Sequence, residues 1–426
     1  MDQPLTATAN WSSAKKIFFR FFFIYFIVFA FPFPLESIDW YYTQVHYHDL
    51  WNPVVQWMGK HVLQLGEITL IPSQWGDSIF YFVELFTILL IAVMGCLVWT
   101  VLDRRRPHYQ KLAYWLTVWV RYFLAYTMFL FGFNKVFDAQ FPFPDMDILL
   151  QSYGESTPRR LAWTFMGYSY SYSFFTGLGE VLGGFLLLFR KTTTLGALLV
   201  MAVMSNVVMM NFSFGIMVKV FSAHLMFMAI FLLAKDGNRL INFFILNKPV
   251  LAVYLEPPFN IPWKKKAWII GKVLVILYLL IPQINNGYRA ERGVGDKAPK
   301  HPLSGIYNVE TFVRNNENVV LLQTDTIRWK QLIISGKKGN ARAAVKMMND
   351  SLQYYAFRAD TVLKNITLIS NADTAQKYEL DYSFPGNEIM LMQGKCKDDS
   401  IKIRMRIFDV NKFPLVNSKF RWTRQH

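Results

Sequence analysis

RYFLAYTMFLFGFNK, residues 121–135, opens and closes on a cation inside a run long and apolar enough to cross a bilayer. A charged side chain at the centre of a membrane helix costs about 2.5–3.5 kcal/mol on insertion scales, so it faces protein or water and has a partner. At about 100° per residue, Arg121, Ala125, Met128, Gly132 and Lys135 fall on one narrow helical face. The small residues Ala125 and Gly132 on that face allow a neighbouring helix to come close. The partner of Arg121 has to be sought elsewhere in the chain.

The 426 residues are 53% hydrophobic and 17% aromatic, with only 17% charged, which is apolar for a soluble chain of this size. Long apolar runs occupy the first 285 residues, and the remainder is a mixed polar sequence. The formal charge of +16 sits largely in short clusters beside the apolar runs. That is the footprint of a protein among anionic lipid heads, and nucleic acid is not expected as a partner. Cys96 and Cys396 stand far apart, so neither a disulfide framework nor CxxC chemistry is expected. The first apolar run, about 17–33, ends in PFP without a small-residue cleavage site and is expected to remain as a helix.

Seven spans are expected, near 16–33, 78–102, 112–137, 172–190, 193–212, 216–234 and 266–283. Lys15, Lys16 and Arg20, then Arg104–Arg106, Arg190 with Lys191, and Lys264–Lys266 all fall on one side if the spans alternate. The excess of Lys and Arg marks that side as cytoplasmic, so the expectation is a multi-pass inner-membrane protein with a cytoplasmic N-terminus and an exported C-terminus. Acidic residues such as Glu36, Asp39, Asp49, Asp77, Asp145 and Asp147 gather on the other side, with Arg159 and Arg160 as exceptions. The stretches 50–63 and 160–174 are too short or too polar to cross and are expected along the outer surface. The divisions are 1–111 with two spans, 112–237 with four, 238–284 with a connector and the last span, a linker at 285–304, and an exported β domain at 305–426.

At about 1.5 Å per residue, Arg121 lies ten residues past Lys111, Glu180 ten before Arg190 and His224 eleven before Lys235. All three come to similar depth, which predicts one buried cluster with Glu180 compensating Arg121. Such a cluster either locks helices together or serves a ligand or proton site. A second, outer polar layer would gather Glu84, Asn134, Lys135, Asn211 and Lys219, unless Lys135 or Lys219 reaches to the interface. HYHD at 46–49 offers histidines, but the spacing matches no zinc or iron site, and no metal is expected.

RYFLAYTMFLFGFNKVF fits the R-x3-A-x3-F-x2-G-x2-K opening of the DoxX family through Arg121, Ala125, Phe129, Gly132 and Lys135. GLGEVLGGFLLLFRKTTTLGALLV, residues 177–200, resembles that family's second helix, with Glu180 followed by Gly183 and Gly184. The likeness covers about residues 112–235. It implies a four-helix membrane bundle related to DoxX and DoxD proteins, some of which are subunits of quinone-reducing oxidoreductases or partners in redox complexes. The matching region lacks cysteine, which disfavours thiol exchange, and the additional spans and β domain fall outside the family pattern.

Beyond the Gly- and Pro-punctuated linker the period changes to two. IKIRMRIF, residues 401–408, alternates Ile401, Ile403, Met405 and Ile407 with Lys402, Arg404 and Arg406, and KYELDY does so with Tyr378, Leu380 and Tyr382. Turn signals separate about eight to ten strands, enough for an antiparallel barrel or sandwich. GIYNV, TDTIRW and KFRW weakly resemble lipocalin-like barrels, with Tyr307 in place of the usual Trp. Tyr307, Trp329, Tyr355 and Trp422 either line an apolar pocket or fill the barrel interior. Two functions follow as expectations: a quinone-associated subunit of a membrane redox complex using the mid-membrane polar layer, or a non-catalytic scaffold or ligand-binding protein whose β domain recruits exported partners.

Overall fold

The computed structural model describes residues 10–35, 40–68, 76–250, 261–322 and 325–418; Glu36, Asp39 and Trp422 lie outside the described residues. The helices are α1 Ser13–Ala30, α2 Trp40–His61, α3 Ile79–Leu102, α4 Gln110–Val136, α5 Met146–Leu150, α6 Pro158–Tyr168, α7 Tyr170–Leu188, α8 Thr193–Ser213, α9 Lys219–Ala234, α10 Gly237–Phe244 and α11 Pro262–Gly293. The chain forms two compact units, one of 1–137 with 171–288, the other of 138–170 with 289–426. The second unit corrects the expected division: the segment between α4 and α7 belongs with the β domain and not with a continuous bundle over 112–237.

Helices occupy all seven expected spans. Five of them, α3, α4, α7, α8 and α11, are long and apolar enough to cross a membrane, and six if α9 and α10, bent by 81° at their junction, make one span. α1 stands outside this group because its 18 residues include Lys15, Lys16 and Arg20. Arg20 is nonetheless buried and fully engaged, donating to the Tyr109 hydroxyl from Nε (3.1 Å) and Nη2 (2.7 Å), to Thr100 Oγ1 (3.0 Å) and to the Asp103 carbonyl (2.9 Å). α2 packs rather than floats: Trp51, Val55 and Met58 are buried in the same apolar core as Phe26 of α1 and Val83 of α3.

The β domain is a closed antiparallel barrel. Its strands are β1 Gly305–Arg314, β2 Glu317–Asn318, β3 Trp329–Lys337, β4 Asn340–Met347, β5 Leu352–Asp360, β6 Asn365–Ser370, β7 Lys377–Gly386, β8 Ile389–Cys396 and β9 Asp399–Ile407. Each pairs with the next along the sheet, β2 being a short extension beside β1, and β9 returns to pair with β1. Closure leaves eight strands without an open edge, which removes the usual site of strand addition. The period-two reading holds: Ile401, Ile403 and Met405 point inward, as do Tyr378, Leu380 and Tyr382, whereas Ile407 at the strand end is 38% exposed. Where β1 and β9 slip register between Val309 and Thr311, the Glu310 carbonyl is released to accept from Arg328 Nη2 (3.1 Å).

α5 and α6 belong to this second unit. Thr157 caps α6 by accepting from the Arg160 amide (3.2 Å), and Pro158 at the first helical position has no amide to satisfy. One face of α6 is packed, and Leu161, Phe165 and Tyr168 are exposed on the helix. Trp163 meets Phe141 at 5.2 Å between ring centroids, and a Cβ on Gly167 would come within 2.4 Å of the Pro142 carbonyl.

Candidate functional site

The contacts of α4 with α7 decide what the buried ions do. The helices run antiparallel, as successive contacts show. Arg121 reaches Leu187, Phe129 meets Gly184, Gly132 meets Gly177 and Val181, and Lys135 pairs with Glu180. Glycine makes this possible: a Cβ on Gly177 would come within 2.7 Å of both the Gly132 carbonyl and the Lys135 Cβ. The close approach expected at Gly132 is therefore observed, with Gly177 and Gly184 as its counterparts seven residues apart on α7.

Arg121 does not pair with Glu180. Its Nε and Nη2 donate to the Leu187 carbonyl at 3.0 and 2.8 Å. That carbonyl lies in the last turn of α7, where the helix has no amide of its own to offer and carries the negative end of its dipole. The guanidinium thus caps a helix end. Glu180 instead receives Lys135 Nζ in both carboxylate oxygens, at 2.8 and 2.7 Å, with both side chains under 10% exposed. Seven residues separate Glu180 from Leu187, or about 10 Å of helix, nearly two turns.

His224 lies apart from both. Its Nδ1 meets the Val220 carbonyl (2.7 Å) and must carry the proton there, so Nε2 accepts from the Tyr25 hydroxyl (2.6 Å). The ring also stacks on Phe29, with centroids 4.4 Å apart. The expected Arg121, Glu180 and His224 cluster is corrected to three separate contacts: a cap, an ion pair and an α1–α9 hydrogen bond. The physical reason is the register of the two helices: Ala125 faces Gly184 and Gly132 faces Gly177, so Arg121 lies level with the end of α7 and Glu180 level with Phe129. Eight residues, about 12 Å of helix, separate the two levels, and the lean of each side chain toward its own N-terminus adds to that separation.

The outer layer also separates into local pairs. Glu84 accepts from the Tyr47 hydroxyl, Asn134 Nδ2 donates to the Leu130 carbonyl (2.7 Å), and Asn211 Nδ2 donates to Ser222 Oγ (3.0 Å). Lys219 Nζ meets Asp77 at 3.1 Å, and Asp77 also accepts from the Lys219 and Val220 amides at 2.9 and 3.1 Å. Asp77 therefore caps α9 from a distant part of the sequence. Local spacing gives no sign of this, because capping motifs are read within three residues of the helix start. Lys135 and Lys219 both pair with carboxylates, Lys135 buried and Lys219 partly exposed at the start of α9.

In the second unit, sequence reasoning missed the residues that join the 138–170 segment to the barrel. Asp147 is buried and accepts from Ser335 Oγ (3.1 Å) and from Arg342 Nη2 (3.1 and 3.2 Å), which also reaches Asp145 at 3.0 Å. Met146 and Leu150 pack on Ile306, Ile333 and Ala344, residues on the outward side of β1, β3 and β4. The available signal was the outward-facing apolar pair Ile306 and Ile333, which break the alternation of a wet barrel face. Asp138, in a left-handed turn after α4 (φ 50°), lies beside Asp296 and Glu291. Burial, then repulsion from Asp296 and Glu291, pushes its carboxyl up to about 7 against the opposing pull of Lys337.

The barrel interior is filled. Tyr307, Trp329 and Tyr355 are each at most 3% exposed and share one core with Phe312, Leu332, Leu368 and Met390. Tyr378 bridges Trp329 (5.1 Å) and Tyr355 (5.9 Å). Of the two readings for these aromatics, interior filling is the one observed. Among the described residues, no group of three His, Cys, Asp or Glu side chains is placed to hold a metal ion.

No family model matches the chain, and no solved structure does. The uncharacterized protein YwoB of Bacillus subtilis (strain 168) is 37% identical over 133 residues, which are 29% of this chain and 79% of that protein.

Proposed function

We propose, for a chain that belongs to the same family as YwoB, a non-catalytic role: a multi-pass membrane scaffold that presents a closed β barrel and its α5–α6 collar to exported proteins. The observation that carries this reading is the private pairing of the buried carboxylate Glu180, closed off by Lys135 at a glycine-lined helix contact. A carboxylate held by an ammonium on both oxygens is poorly placed to relay protons or take a head group. The packed barrel interior leaves its outer surface as the region available to a partner.

Parity supports an exported barrel. The 138–170 segment and the barrel are one unit joined through Asp147, Ser335 and Arg342, so both belong on one side of the bilayer. An even number of crossings must separate them. With α7, α8 and α11 crossing, α9 has to cross as well, which favours six apolar spans over five. Arg104–Arg106, Arg190, Lys191 and Lys264–Lys266 then share the opposite side, the pattern of a cytoplasmic face. Impermeant maleimide should label Ser156→Cys and Ser418→Cys in intact cells but reach Lys191→Cys only after permeabilisation. Labelling of position 191 before permeabilisation would overturn the orientation.

The DoxX-like segment keeps a quinone-associated redox subunit as a second reading, favoured by one observation. Glu84, 4% exposed, is held by a tyrosine and forms no ion pair among the described residues. Organic extraction of purified full-length protein followed by mass spectrometry separates the two. The scaffold predicts no stoichiometric quinone; one quinone per chain, lost in a folded Glu84→Gln variant, would replace it.

A further inference from the structure

A set of cations on α4, α7 and α11 has no role in the scaffold reading and does not depend on it. Arg121 spends Nε and Nη2 on the Leu187 carbonyl, and its Nη1 makes no hydrogen bond among the described residues. Arg190, just past the end of α7, and Lys272 of α11 are close enough to repel it and each other. Neither Arg121 nor Lys272 forms an ion pair among the described residues; Lys272 Nζ rests over the Phe189 ring at 4.7 Å. Arg121 and Lys272, which form no ion pair among the described residues, come together in a low-dielectric setting, and that is unfavourable unless an anion completes it. Aromatic side chains frame the site: Tyr114 lies under Arg190 at 5.6 Å, and Trp115 meets Trp268 at 6.3 Å. Such residues collect at head-group level.

We propose that Arg121 Nη1, Arg190 and Lys272 together bind a phosphate group, presented either by an acidic phospholipid head or by a free phosphate. Arg121 supplies a buried donor whose direction is set by the Leu187 carbonyl. Lys272 supplies a charge on a long stem that reaches toward the interface. Basic pockets between membrane helices are the known setting for anionic head groups.

The experiment uses full-length protein, with Arg121 untouched because it also caps α7. Native mass spectrometry counts phosphatidylglycerol retained by the wild type and by Lys272→Gln, with Lys265→Gln as a control for diffuse charge. At about fivefold in affinity per cation, Lys272→Gln should lower retention about fivefold while leaving the thermal midpoint unchanged, and Lys265→Gln should change it little. A second arm adds inorganic phosphate to protein in phosphatidylcholine nanodiscs. Lys272-dependent stabilisation by phosphate alone assigns the site to a free anion; retention of phosphatidylglycerol without such stabilisation assigns it to lipid. Equal loss in the two lysine variants, or no loss in either readout for Lys272→Gln, overturns the proposal.

Discussion

Inside the barrel, a side chain stays at the level of its own residue: Ile401, Ile403 and Met405 project into the core directly from β9, and Tyr378, Leu380 and Tyr382 do the same from β7. Inside the helix bundle, distance counted from the flanking charges does not give that level. Arg121 and Glu180 each stand ten residues from a basic residue, yet the register that sets Ala125 against Gly184 and Gly132 against Gly177 leaves them about eight residues apart, one at the Leu187 carbonyl and the other at Lys135. Strand side chains stand perpendicular to the sheet, whereas helical side chains slope toward the N-terminus of their own helix. On antiparallel helices that slope adds to a separation already set by the register. Position along a strand therefore locates a side chain against its ladder partners, whereas an apolar run fixes a helix but not its register against the next.

The two regions also tolerate disturbance differently, and substitutions can test the contrast. The largest effect is expected at the bundle's ion pair. Glu180→Ala leaves Lys135 buried without a counter-charge and should destabilise by about 3–5 kcal/mol, whereas joint Lys135→Leu and Glu180→Leu should recover much of the loss. Thermal unfolding in detergent reads both; additive losses in the double variant would mean the two ions do not act as a pair. In the barrel, Leu332→Ala opens a cavity in an uncharged core and should cost about 2–5 kcal/mol. No partner substitution should restore it, because nothing charged is left behind.

Gly177→Ala sharpens the comparison further. Its new Cβ would meet the Gly132 carbonyl and the Lys135 Cβ at 2.7 Å, so about 1–3 kcal/mol of overpacking is expected, with Lys135 displaced from Glu180. Wild-type stability in that variant would show that the helices are not held at this separation.

The smallest effect concerns pH. Asp138 titrates near 3.8 when unperturbed and at about 7 in the folded unit. Between these values the native state holds more protons than the unfolded one, so this group's contribution to stability falls as pH rises from about 4 to about 7 and is flat above. Asp138→Asn should remove that slope from the thermal midpoint of the full-length protein. An unchanged slope would assign the pH dependence to other groups.

Much of the architecture was legible because it depends on patterns spread over many residues. All seven apolar runs became helices, and the change to period two marked the barrel. The pairings were less legible because each depends on one contact between distant segments. Asp77 is 142 residues from Lys219, and Asp147 is 195 from Arg342. No local spacing encodes such a distance. The segment 138–170 shows the same limit, since its assignment to the barrel rests on Asp147 meeting Arg342 and on Met146 and Leu150 covering Ile306 and Ile333.

The sequence by itself determined which residues leave water: apolar runs of bilayer length, glycines where helices touch, and alternating strands with one buried face. These follow from periodicity and transfer free energy, which are additive along a chain. Only the tertiary structure decided which buried ion meets which partner. That choice turns on a few ångströms of side-chain reach and on helix direction, and a carboxylate meeting an ammonium or a guanidinium meeting a bare carbonyl are equally consistent with the same list of residues.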